Sequence, residues 1–231
     1  MRKDLEFFGR GHAYSSVNNS AYFETDDSFV MLDCPLSTAM KLIDNDFSGK
    51  QPYILITHTH GDHIGGVELF TFSCHFRKNI KPMIVAPSQD VLEDIKTFLR
   101  IVGINKDWYT LVRVNELNKD FLVKAIPTEH VPDLSGRCFG YQLNVNGKNV
   151  IYTGDTATLE PFLPYLNKGS LLYTEVCIAD SPVHLNFDKA NPTIESLVQS
   201  GVKVYLMHLD DEAELLKRIE RMDGVDLAPL I

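Results

Sequence analysis

The stretch ILITHTHGDHIGG, residues 54–66, places three histidines and an aspartate within the six positions from His58 to His63. Imidazole nitrogen and carboxylate oxygen suit Zn²⁺, with Mn²⁺ and Fe²⁺ also admissible. No cysteine lies in this loop, and a donor set without Cys favours a catalytic site with a position open for water over a structural one. The apolar run QPYILIT delivers the chain to the loop in extended form, where residues two apart point the same way. His58 and His60 can therefore reach one ion together. Asp62 and His63 lie beyond Gly61, which permits a tight turn, so this second pair is expected to face another ion.

Three more donors each follow an apolar run: His130 in IPTEHVPD, Asp155 in VIYTGDT and His208 in VYLMHLD. A polar group just beyond a buried strand is one the core does not need. Together His58, His60, Asp62, His63, His130, Asp155 and His208 make seven ligands, enough for two divalent ions.

The elements that must position these groups alternate along the chain. DLEFFG, SAYFETD and SFVMLDC read as short strands, and PLSTAMKLIDNDF as a helix with Met40, Ile43 and Phe47 at helical spacing. QPYILIT and KPMIVAP are buried strands, and IGGVELFTFSCHFRKN reads as a helix opening on two glycines. SQDVLEDIKTFLRIVG is a helix capped by Ser88, with Val91, Leu92, Ile95 and Phe98 as its stripe and Gly103 at its end. From YTLVRVNE to Asp155 the chain is again β, with an Asn-Gly hairpin turn in NVNGKNV. Beyond it follow a helix TLEPFLPYLN, a strand SLLYTEV, a helix TIESLVQSG, a strand KVYLMHL and a helix DDEAELLKRIERM. This β-then-α order appears twice, before and after about residue 115. It predicts an α/β fold of two mixed sheets packed face to face and flanked by helices, four layers in one domain over 1–231.

Bulk properties exclude several classes. A chain of 231 residues, 44% hydrophobic, can bury a core without disulfides. Cys34, Cys74, Cys138 and Cys177 are scattered without CxxC pairing, as expected of buried thiols in a reducing compartment. MRKDLEFFGRGHAYSS has no apolar signal-like core, and no run approaches the roughly 20 apolar residues that cross a bilayer, so a cytoplasmic location is expected. A formal net charge of −9 argues against a broad nucleic-acid surface.

Taken in order, FVMLDCP, THTHGDHIGG, EHVPD, YTGDT and YLMHLD resemble the five motifs of the metallo-β-lactamase fold superfamily, over about residues 17 to 212. The resemblance implies an αββα sandwich with a dinuclear site. His58, His60 and His130 would hold one ion; Asp62, His63 and His208 would hold the other, with Asp155 bridging. Asp33 would orient the loop rather than ligate. HVPDLSGRCFGYQL departs from the GHTPGH pattern of glyoxalase II and lactonase relatives, whereas His…GYQLNVNGKNVIYTGDT is similar to the ribonuclease Z and phosphodiesterase branch. In that branch a Glu and a downstream His stand beside the metals, which here are Glu175 and His184 in TEVCIADSPVHLNF. A carboxylate that fixes the imidazole tautomer and raises its basicity lets His184 donate to a phosphoryl oxygen. Asn186 stands where the branch usually has a hydroxyl residue.

The implied chemistry is attack by a metal-activated water, with Asp62 accepting its proton and Glu175–His184 assisting the leaving group. The long basic arm that clamps tRNA in ribonuclease Z is missing between His130 and Asp155. The expected substrate is therefore a small phosphodiester such as a cyclic nucleotide. A ribonuclease Z-like endoribonuclease and a thioester or lactone hydrolase are the enzyme alternatives; a metal-binding protein without turnover is the non-enzyme one. No stable nucleic-acid complex and no membrane attachment are expected, and a homodimer is left open. Phe98, Trp108 and Tyr109 either cover the cleft and stack on a base or belong to the core. His12 in GRGHAYSS is either a substrate-side group or part of a surface turn.

Overall fold

The computed structural model describes residues 4–231; the first three residues of the N-terminal stretch read for a signal core lie outside them. The chain divides into two compact units. The first contains the residues up to Gly9, Ala13–Asn118 and Leu230–Ile231; the second contains Arg10–His12 and Lys119–Pro229.

In the first unit, short runs of aromatic and branched residues form β1 (Glu6–Gly9), β2 (Ser20–Glu24), β3 (Ser28–Leu32), β4 (Gln51–Leu55), β5 (Met83–Ala86) and β6 (Thr110–Arg113). They pair in chain order, antiparallel from β1 to β3 and parallel from β3 to β6. β3 is buried throughout, the pattern of a strand covered on both faces. Helix α1 (Leu36–Lys41) is shorter than PLSTAMKLIDNDF predicts, and Phe47 sits instead in a 3-10 turn, Phe47–Gly49. Met40 is 57% exposed while Thr38, Ala39 and Leu42 are buried, so the apolar register read from Met40 was off by one position. The helix expected over IGGVELFTFSCHFRKN is divided: α2 (Gly61–Ile64) ends at its first residue, α3 (Val67–Phe72) follows the two glycines, and Ser73–Lys78 forms a π-type turn. The long amphipathic stretch becomes α4 (Gln89–Ile101), and Ser88 caps it by accepting from Val91 N. Its Val91, Ile95 and Leu99 are buried, each stabilising the unit by roughly 1.5–3 kcal/mol; Leu92 and Phe98 are only partly covered. Gly103 ends it in a left-handed conformation.

The second unit repeats the plan. β7 (Leu122–Pro127), β8 (Phe139–Val145) and β9 (Lys148–Tyr152) are antiparallel, and β10 (Leu171–Glu175), β11 (Lys203–Met207) and β12 (Val225–Leu227) continue parallel from β9. Among the described residues each unit thus has one six-stranded mixed sheet with its strands in chain order, the mixed sheets with helices that the sequence predicts. Asn146 and Gly147, both at positive φ, turn the β8–β9 hairpin. TLEPFLPYLN is not a helix: only Leu163–Tyr165 forms a 3-10 turn, because Pro161 and Pro164 each remove a helical donor. Helix α5 (Phe187–Gln199) starts six residues before Thr193, capped by Asn186, whose side chain accepts from Lys189 N. Phe187, Ala190 and Ile194 on α5, with Leu215 and Ile219 on α6 (Glu212–Ile219), bury against Leu172, Val204 and Leu206 of the sheet. Among the described residues no helix is long and apolar enough to cross a membrane. All four cysteines are free and buried, as expected.

Candidate metal centre

Ligands of open α/β sheets gather at the carboxyl ends of the parallel strands. In the first unit these ends carry Asp33 after β3 and His58–His63 after β4. Backbone bonds from Cys34 N to His63 O (2.7 Å) and from Gly66 N to Cys34 O (2.8 Å) lace the two loops together. A Cβ on Gly66 would stand 2.3 Å from Pro35 O, so only glycine allows this approach.

Asp33 is fully buried and adopts φ 60°. Its Oδ1 accepts from Thr57 N at 2.8 Å, and its Oδ2 accepts from Thr57 Oγ1 at 2.9 Å and from His63 Nδ1 at 2.8 Å. Burial pushes the Asp33 carboxyl up, opposed by the charge and hydrogen bond of His63 and by the donors of Thr57. Because the Thr57 hydroxyl donates to Asp33, it accepts from His58 Nδ1 at 3.0 Å. Both imidazoles then hold a proton on Nδ1 and a lone pair on Nε2, the tautomer a metal ligand needs. His58 Nε2 and His60 Nδ1 face each other at 3.0 Å, and His63 Nε2 lies 3.3 Å from Asp62 Oδ2. Nitrogens converging this way suit a shared cation.

In the second unit His130 follows β7, Asp155 follows β9, Glu175 ends β10 and His208 follows β11. His130 Nδ1 donates to Val183 O at 2.7 Å, which again leaves the lone pair on Nε2. Asp155 Oδ2 lies 3.7 Å from His130 Nε2 and 3.4 Å from His208 Nε2. Glu175 Oε2 accepts from His184 Nδ1 at 2.7 Å and lies 3.5 Å from His208 Nδ1; its Oε1 accepts from Thr156 N. His130, Asp155, Glu175 and His184 each offer a donor atom within 4.8 Å of the others. Burial pulls the His184 pKa down, yet the bond and charge of Glu175 with the charge of Asp155 outweigh it, and the net direction is upward. His208 holds φ 54°, a conformation that costs a non-glycine residue about 1–3 kcal/mol and concentrates at functional sites.

The chemistry of these donors fits divalent ions: four imidazoles or carboxylates in the first unit and five in the second, with the Nδ1 positions of His58, His63 and His130 bonded to oxygen. The sequence-predicted groups thus sort into His58, His60, Asp62 and His63 in one unit and His130, Asp155, Glu175, His184 and His208 in the other. Asn186 is 8% exposed and is spent on structure, capping α5 and donating to Ile178 O and Ala179 O. Trp108 stacks on His75 at 4.5 Å beside Phe72 and Phe76, and Tyr109 is buried. His12 N donates to Leu209 O at 3.1 Å, a backbone role.

Sequence reasoning missed three positioning residues. Thr57 precedes the first histidine and links Asp33 to His58. Asp210, two residues after His208, accepts from Ile178 N at 2.8 Å, Ala179 N at 2.9 Å and Asp211 N at 2.8 Å. Burial pushes its carboxyl up, but these amides win and hold it below its ordinary value. Arg10 clasps Glu212 through two nitrogens, at 2.8 and 2.6 Å, and reaches Ala228 O at 2.6 Å. The only signals were adjacency to a ligand for Thr57 and Asp210, and a lone arginine between glycines for Arg10.

The family described as Anti-Pycsar protein Apyc1 matches residues 3–225. The Anti-Pycsar protein Apyc1 of Saccharibacillus brassicae is 26% identical over 235 residues, covering 91% of each chain. Among solved structures, the metallo-β-lactamase fold protein YhfI from Bacillus subtilis aligns with TM-score 0.73 at 16% identity, covering 97% of this chain and 96% of that one. The short form of human tRNase Z aligns with TM-score 0.67 at 15% identity, covering 99% and 97%. The fold is that of the metallo-β-lactamases, as the five motifs implied.

Proposed function

Because the chain belongs to the family described as Anti-Pycsar protein Apyc1, we propose that it is a metal-dependent phosphodiesterase acting on small phosphodiesters such as cyclic nucleotides. His58, His60 and His130 would hold one divalent ion and Asp62, His63 and His208 a second, with Asp155 common to both; zinc suits these donors, as do manganese and iron. Bound ions supply charge against the phosphoryl oxygens and lower the pKa of a water from 15.7 to about 7.

The observation that carries the reading is the Glu175–His184 pair, 2.7 Å apart, with His184 4.0 Å from Asp155. Glu175 fixes the Nδ1 proton, so a protonated His184 presents N–H at Nε2. The hydrogen bond and charge of Glu175 and the charge of Asp155 shift the ring toward its protonated form. Hydrolysis adds one water across a P–O ester bond, with hydroxyl to phosphorus and a proton to the leaving oxygen. His184 Nε2 gives that second proton, while Asp62 takes the one lost by the water. A thioester releases a thiolate that needs no such donor, which disfavours that alternative. Between His130 and Asp155 the chain spends itself on a short loop with a 3-10 turn, Pro132–Leu134, and the β8–β9 hairpin. It offers no arm for tRNA. On this reading both units serve one cytoplasmic hydrolase domain that forms no stable nucleic-acid complex.

The test is a substrate panel of 3′,5′-cyclic nucleotides, dinucleotides, RNA, thioesters and lactones, run on metal-loaded protein with metal content measured alongside. The expected result is about two ions per chain and cyclic-nucleotide turnover abolished by a chelator. Faster cleavage of thioesters or lactones refutes the proposal.

A further inference from the structure

A cavity of about 400 Å³ lies within the second unit, between the turn after Asp155 (Ala157–Glu160) on one side and the loop Ser181–Asn186 with the first turns of α5 on the other. Its size falls near the lower end of the roughly 300–1,000 Å³ range of ligand pockets, room for one nucleotide rather than a run of them. His184 forms part of its wall. A substrate whose phosphodiester lies against His184 can therefore extend its carbon skeleton into this cavity.

The lining has two characters. Leu159 and Leu185 are nearly inaccessible, and Ala157 and Ala190 take little width, which suits a flat apolar face. Lys189 and Glu160 also line it, a cation and an acid on one cavity. Lys189 Nζ pairs with Asp180 at 2.6 Å, but both side chains are more than two-thirds exposed, at 71% and 81%. Such an exposed surface pair contributes little, so Lys189 can exchange Asp180 for a ligand oxygen. An alkyl or acyl chain would use neither charged group. A nucleobase presents hydrogen-bond acceptors and N–H donors on one edge of a flat ring, and so matches both.

The wall is held in place before anything binds. Asp210 ties down Ile178 and Ala179, Ser181 Oγ accepts from Val183 N and His184 N at 3.2 Å each, and Asn186 bonds Ile178 O, Ala179 O and Lys189 N. A preorganised wall loses little freedom on binding.

We propose that this cavity binds the nucleoside portion of a cyclic nucleotide, with Lys189 and Glu160 reading the edge of the base. The proposal rests on the phosphodiesterase reading for the substrate that arrives, and on the cavity itself for where its base lodges. Two measurements separate them. In the first, kcat/KM for 3′,5′-cyclic nucleotides is divided by that for bis(p-nitrophenyl) phosphate, which has no base. Thr193→Trp, which fills the cavity, is expected to lower this ratio at least ten-fold, and Lys189→Ala about three-fold. In the second, adenosine and cytidine, which carry no phosphate, are titrated calorimetrically into the metal-free full chain. The wild type is expected to bind at least one of them, and Thr193→Trp to bind it at least ten-fold more weakly. Lys189→Ala, a change at an exposed position, guards against misfolding of the tryptophan variant. Absence of turnover on both phosphodiesters defeats the phosphodiesterase reading, and the titration then decides the cavity alone. A ratio unmoved by both variants, or nucleosides that fail to bind the wild type, overturns the proposal.

Discussion

Replacing Asp33 by Asn changes one buried atom and should disable a histidine about which the substitution says nothing directly. Asp33 Oδ1 accepts from Thr57 N, the Thr57 hydroxyl is shared between Oδ1 at 3.1 Å and Oδ2 at 2.9 Å, and Oδ2 also accepts from His63 Nδ1. In Asp33→Asn both Thr57 donors can still reach Oδ1, but an NH₂ replaces Oδ2 and meets the N–H of His63 Nδ1. The ring of His63 then keeps a hydrogen bond only by moving its proton to Nε2, the nitrogen that the proposed ion needs. Loss of such a supporting partner typically weakens metal affinity 10–100-fold, or about 1.4–2.8 kcal/mol. Losing the charge-assisted bond should destabilise the metal-free chain by about 1.5–3 kcal/mol as well. Chelator competition at neutral pH measures the first quantity and denaturant unfolding of the metal-free protein the second. Nitrogen-15 shifts of the imidazoles report which nitrogen carries the proton. An Asp33→Asn variant that keeps wild-type zinc affinity, with the His63 proton still on Nδ1, would falsify the claim that Asp33 sets the tautomer.

Other outcomes follow from the same geometry. His184→Ala should slow phosphodiester turnover by about 10²–10⁴, the usual worth of a general acid, while metal affinity changes far less; equal losses in both would make His184 a ligand instead. Burial pushes the Cys74 thiol up to about 12, as it does the Cys177 thiol, with Glu175 adding to the latter. Folded protein at pH 8 should therefore resist iodoacetamide at both positions, and urea should expose them. A raised thiol pKa favours the neutral form, so the stability it contributes is intact below about pH 9 and is lost as pH climbs toward 12; midpoints of unfolding that rise across that window contradict the assignment. Asn186→Ala should cost about 1 kcal/mol through the lost cap of α5, and Asn186→Ser should recover most of it in thermal unfolding, because serine also caps.

How far the sequence carried can be argued residue by residue. The ligand loop was legible because donors crowded behind a buried strand have no role in packing, and the Ser88 cap and Asn-Gly turn were legible because each is a local signal. The α5 start was not, since Pro192 resembles a helix opening whereas the fold tolerates it one turn in and lets Asn186 begin the helix. TLEPFLPYLN misled through apolar spacing that its two prolines overrule. Met40 misled because a six-residue helix offers too few positions to fix which face is buried. Arg10 and Asp210 were invisible for a different reason: their partners lie across 202 and about 30 residues of sequence, and no local pattern encodes a partner that far away.

The assignment of chain ends to the two units bears on how this protein can be made. Arg10–His12 belong to the unit built mainly from the later half of the chain, and Leu230–Ile231 belong to the earlier one. Phe7 bridges Leu230, and Ile231 N donates to Phe7 O at 3.2 Å. During translation most of the earlier unit emerges first, yet its β1 edge waits for Leu230 and Ile231 to leave the ribosome. Fragments cut at residue 118 would each lack a strap, the first losing Leu230–Ile231 and the second losing the Arg10 clasp on Glu212. Co-expressed halves should therefore complement each other poorly unless each carries the short segment borrowed from the other.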